Sequence, residues 1–154
     1  MNAERARRGI PTLKIDSGLN ACAQRRSEQM ARAGYISHDL SQTAYRCAGA
    51  WTLYGENVGV GPDVQSVHQA FMNSPGHREN ILFPYFTELG TGTAWSKGNV
   101  YVTEIYVRRP AEARLRLPRR SSQPRKRLPG LPVAKPGFLT VLMLERMMAD
   151  FGVR

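Results

Sequence analysis

Apolar and small residues recur at Leu19, Cys22, Ala23 and Met30, the spacing of one helix face. Asp16 or Ser17 can accept from the free amides of a first turn, and Gly34 offers a left-handed C-terminal cap. A second apolar stripe, Val64, Val67 and Phe71, follows Pro62 and Asp63, which mark a helix start with Pro62 at the first helical position. His68 falls on that stripe, where a lone histidine reads as a hydrogen-bonded core residue, so it is left out of any site. Ser74-Pro75 reads as the N-cap and first-turn proline of a short helix that Pro84 ends. Residues 2–8 read as a short charged helix stopped by Gly9 and Pro11.

The period then changes from helical to alternating. Residues 89–95 and 100–107 read as two strands around Ser96-Lys97-Gly98-Asn99, a loop with hairpin chemistry. Gly90 and Gly92 inside the first strand predict a bulge or a close backbone contact. Residues 35–54 have no sustained period and read as a long structured loop, and Gly55, Gly59 and Gly61 predict a bend or a close approach. Helices followed by a terminal antiparallel hairpin imply an α+β, α-β-α layered domain.

Charge divides the chain at Pro110. Residues 1–110 hold 12 Lys and Arg against 9 Asp and Glu, and residues 111–154 hold 10 against 3, so most of the formal net charge of +10 belongs to the tail. Residues 111–137 are rich in Pro and Arg without a period, the composition of a disordered segment, and 138–151 could form a short apolar helix. A basic tail can contact anionic polymers. It lacks the interleaved aromatics that stack bases, which argues against specific nucleic-acid binding. The first residues carry no apolar run of a signal peptide, and no stretch approaches the ~20 apolar residues of a membrane span. Cys22 and Cys47 leave two readings open, a disulfide or two buried thiols.

Three segments carry candidate chemistry: Ser37-His38, Gly55-Glu56-Asn57-Val58, and residues 73–82, which read Asn-Ser-Pro-Gly-His-Arg-Glu-Asn-Ile-Leu. With Ser74 as N-cap, His77 falls in the first turn, where the helix dipole opposes a protonated imidazole and favours a neutral one. Two histidines and a carboxylate (His38, His77 and Glu56) match the ligand set of open zinc sites, although their spacing makes no metal motif.

The three blocks, in this order, resemble the signature blocks of bacterial SCP-like proteins of the CAP superfamily, over residues 1–110. The resemblance implies a three-layer α-β-α sandwich whose central cleft is lined by two histidines and two acidic residues. His38 and His77 take the histidine places and Glu56 the first acidic place, with Asn57, Asn73 and Ser74 as further polar contacts. The second acid is missing from the helix before His77, and Glu79 and Glu104 are the nearby candidates. The resemblance also implies an extracellular or cell-envelope location. It further implies a binding module for a lipid or cell-envelope component with a weakly held divalent cation, zinc or another. The rival is a hydrolase, with Ser74 as nucleophile and His77 as base, or with an ion-activated water and Glu56 as base. Against Ser74, an N-cap hydroxyl is expected to be committed to a backbone amide.

Overall fold

Lys97 and Gly98 both take positive φ, 49° and 77°, and this two-residue turn joins β3 (Glu88–Ser96) to β4 (Asn99–Arg108). Positive φ at both central positions matches the right-handed twist of the flanking strands, so the register runs without interruption from Ser96↔Asn99 to Glu88↔Val107. The computed structural model describes residues 1–111. The Pro/Arg-rich tail and the apolar helix expected at 138–151 lie outside the described residues.

Two further strands complete the sheet. β2 (Leu53–Gly61) pairs antiparallel with β4, and the two-residue β1 (Lys14–Ile15) pairs parallel with β3, giving the order β1-β3-β4-β2. The sequence reading missed both. Three glycines break the alternation of β2, and of the bend or close approach they predict, the structure shows the close approach. Their reason is steric, not conformational. A Cβ on Gly59 would lie 2.7 Å from the Phe71 ring, and one on Gly55 would lie 2.8 Å from Phe86. β2 is extended, and its glycines let aromatic side chains lie against the backbone.

One face of the sheet carries α2 (Ser17–Ala33), capped by the Asp16 carboxylate at its start and by Gly34, φ 80°, at its end. Gly90 and Gly92 bring α2 almost onto β3, since a Cβ at either would sit 2.2 Å from the backbone of Leu19 or Gln24. Leu19, Cys22, Ala23, Tyr54, Ile105 and Val107 fill this layer. The opposite face carries α1 (Asn2–Ala6), α3 (Val64–Asn73) and α4 (Pro75–Leu82), packed over Val67, Phe71, Ile81, Phe86, Val102 and Tyr106. The expected α+β, three-layer α-β-α arrangement is therefore observed. Pro62 lies outside α3, because Asp63 is its N-cap and accepts from the Ser66 amide.

Two ties fix loops and helix ends. Arg5, fully buried on α1, donates to the carbonyls of Ile81 and Phe83 and so holds the C-terminal end of α4. Cys22 and Cys47 are bonded, with Cα atoms 5.7 Å apart, which resolves the open cysteine question toward the disulfide. That bond fastens the segment after α2, including a π-helical turn at Ser41–Tyr45, to the helix.

Candidate functional site

β2 is an edge strand, and alternate residues along it face opposite layers. Tyr54, Glu56 and Val58 face the α2 side, while Asn57 and Gly59 face α3 and α4. The candidate site straddles this edge.

On the α2 side, Glu56 is only 3 % exposed. Its Oε1 lies 2.9 Å from His38 Nδ1, and its Oε2 accepts from the Tyr54 hydroxyl at 2.9 Å. The same hydroxyl is 2.9 Å from Thr43 Oγ1. Burial, and then the neighbouring Glu56, pushes the Tyr54 phenol far above its ordinary value, so it stays a neutral donor. Arg26 of α2 donates to the Ser37 carbonyl and, at 2.7 Å, to its hydroxyl, which fixes the residue before His38. The Glu56 oxygen facing Nδ1 orients a ring that is 27 % exposed.

On the opposite side, His77 occupies the first turn of α4 and is 8 % exposed. Its Nδ1 is 2.8 Å from Ser74 Oγ, and its ring stacks on Phe71 with centroids 4.9 Å apart. Burial, and secondarily the positive charge of His38, holds its pKa below the ordinary histidine value. Ser74 departs from expectation: its side chain caps no amide and engages His77 instead. His77 at this position offers a ring nitrogen, so the hydroxyl has a nearer use than capping.

Between the two halves, Asn57 is fully buried and donates to the His77 carbonyl at 3.1 Å and to Glu104 Oε2 at 2.9 Å. Asn80 donates to Asn57 Oδ1 at 2.9 Å and to the Glu56 carbonyl at 3.3 Å, joining α4 to the strand. Tyr106 also donates to Glu104 Oε2 at 2.5 Å. Of the two candidates for a second acid, Glu79 is exposed, whereas Glu104 is buried behind the site and acts on it through Asn57.

Of the expected residues, His38 contacts Glu56, His77 contacts Ser74, and Asn57 bonds to the His77 carbonyl. Asn73 is exposed and lines a separate groove of about 470 Å³ with Glu4, Arg8, His68 and Arg78. Among the described residues, no three His, Cys, Asp or Glu side chains are arranged to hold a metal ion. Glu56 already engages Tyr54 and His38 through its two oxygens, and His38 and His77 each direct one ring nitrogen to a protein partner. The His38, Glu56 and His77 set does not fit a three-ligand zinc centre in this arrangement. Sequence reasoning missed Tyr54 and Asn80. Tyr54 lies two residues before Glu56 and Asn80 three after His77, spacings that become informative once β2 and α4 are known.

Residues 1–107 match the family described as CAP, cysteine-rich secretory protein family. The uncharacterized protein YkwD of Bacillus subtilis (strain 168) is 36% identical over 117 residues, covering 68% of this chain and 43% of that protein. An extracellular protein containing an SCP domain from Bacillus anthracis str. Ames superposes with a TM-score of 0.63 at 30% identity, covering 70% of this chain and 37% of that one. An outer surface protein from Borrelia burgdorferi shares the fold, with a TM-score of 0.65 at 19% identity over 71% of this chain and 86% of that one. The chain spans less than half the length of the two Bacillus relatives. The blocks around His38, Glu56 and His77, the layered fold and these likenesses agree: the chain belongs to the CAP family, through a bacterial SCP-like domain.

Proposed function

We propose that this domain is a binding module of the cell exterior that recognises a cell-envelope component at the His38–Glu56–His77 cleft. The observation that supports binding over catalysis is the double engagement of Glu56. A carboxylate held by Tyr54 on one oxygen and His38 on the other is placed to orient these two side chains, which suits a preformed polar binding surface. The likeness to an extracellular protein of Bacillus anthracis supports a location outside the cell. Among the described residues no helix is long and apolar enough to cross a membrane. With Glu56 held by Tyr54 and His38, binding at this site is expected to survive a chelator.

The test is co-sedimentation of the full, oxidised chain with purified bacterial envelope, walls and membranes together. The expected result is saturable binding that survives chelation and falls at least about tenfold in His38→Ala. Absence of binding, or equal binding by His38→Ala, overturns the reading.

One observation favours a second reading. The 2.8 Å contact between Ser74 Oγ and His77 Nδ1 is a nucleophile–base distance, and Ser74 is not committed to capping. In a serine hydrolase His77 would take the Ser74 proton as the hydroxyl attacks an acyl carbon. Ser74-dependent labelling by a fluorophosphonate would establish that reading, and unlabelled protein would end it.

A further inference from the structure

The segment between α2 and β2 is tied down along its length. His38 is bonded to Glu56, Thr43 Oγ1 donates to the Asp39 carbonyl at 2.8 Å, and Trp51 Nε1 donates to the Ala44 carbonyl at 2.9 Å. Cys47 is bonded to Cys22, and Arg109 donates to the carbonyls of Ala48 and Ala50. In the middle is the π-helical turn Ser41–Tyr45, a rare geometry that recurs at functional sites. It ends on Tyr45, which is 66 % exposed. A phenol ring is thus held in water on a cross-linked loop.

Tyr45 does not stand alone. Its ring contacts half-buried Trp51 with centroids 5.9 Å apart, and Trp51 contacts Tyr54 at 5.6 Å. The Tyr54 hydroxyl ends the series on Glu56, the partner of His38. An aromatic path runs from solvent to Glu56 and His38.

We infer that Tyr45 and Trp51 form a saccharide-stacking subsite that extends the His38–Glu56 cleft and takes a pyranose ring of an envelope polysaccharide. This deepens the binding reading above and rests on it. An aromatic face is electronegative and attracts the C–H face of a sugar ring, while the sugar's hydroxyl edge requires polar neighbours. Exposed Ser41 and Arg46 flank Tyr45 in the chain and supply that polarity. A membrane surface is the poorer match, because the exposed residues near Tyr45 in the chain, Ser41, Arg46 and Gly49, add no large apolar side chain. A ring already fixed by its loop loses little freedom on binding, which is the property of a preorganised anchor.

The experiment uses the full, oxidised chain carrying Trp95→Phe, a change at an exposed position on the hairpin, so that Trp51 is the one tryptophan reporter. Chitotetraose and wall sacculi stripped of teichoic acid are the saccharide probes, and phosphatidylglycerol vesicles are the control. The expected result is a saturable shift of Trp51 emission with both saccharides and none with vesicles. Tyr45→Ala should weaken the affinity by roughly 3- to 10-fold, and Tyr45→Phe should restore it. Silence to both saccharides, equal affinity in Tyr45→Ala, or a response to vesicles alone overturns the subsite. If envelope co-sedimentation remains dependent on His38 but is indifferent to Tyr45, the binding module stands and the saccharide subsite falls. If the parent chain binds no envelope, both fall.

Discussion

Among the described residues no cationic side chain bonds to Glu104, which accepts from the Tyr106 hydroxyl and the Asn57 amide. Burial pushes its carboxyl above the ordinary value of 4.5, against the opposing pull of those two bonds. A carboxyl raised by folding holds its proton more tightly in the native state. Its contribution to stability is therefore full below the ordinary value and is lost as pH rises through the raised one. Glu104→Gln keeps an acceptor for both donors and removes the titration. Denaturant melts should find the variant more stable than the parent at pH 8 and equal to it near about pH 4. Equal stability at both pH values would show that Glu104 titrates normally. His77 acts in the opposite sense. Its depressed pKa gives a contribution present above the ordinary histidine value of 6.5 and lost as pH falls below it.

At the level of elements, the helices were legible and the edge strand was not. Asp16, Gly34 and the Leu19–Met30 stripe mark α2 because capping and periodicity are local signals. β2 escaped because Gly55, Gly59 and Gly61 answer to Phe86, Phe71 and Val67, residues that only the fold brings near. With β2 hidden, Tyr54 could not be seen as the same-face neighbour of Glu56, nor Asn57 as facing the other way. His38, Glu56 and His77 were legible through their motif blocks, and Ser74 was legible as an N-cap position but not as the partner of His77. Gly90 and Gly92 were legible as close contacts, and the close contact is with α2. Gly92→Ala forces a Cβ to 2.2 Å from the Gln24 backbone nitrogen, which no side-chain rotation can relieve. The expected cost is about 3 kcal/mol in chemical denaturation, the upper range for overpacking. A loss below about 0.5 kcal/mol would mean that α2 can lift off β3 freely.

Across the whole molecule, the site depends on three pieces far apart in sequence: the loop after α2, the edge strand and the first turn of α4. The Cys22–Cys47 bond secures the first of these and closes a loop of 25-residue separation. Removing it with Cys22→Ala and Cys47→Ala should cost roughly 3–4 kcal/mol by the chain-entropy estimate, read from the denaturation midpoint. An unchanged midpoint would show that the loop is held by its hydrogen bonds alone. The central claim is that folding places His38 and His77 in one cleft across the β2 edge. The direct measurement is the NMR titration of the His77 ring in the parent chain and in His38→Gln. The account requires a His77 pKa below 6.5 in the parent and a rise toward it once the His38 charge is removed. A His77 pKa that His38→Gln leaves unmoved would separate the two histidines and contradict the site.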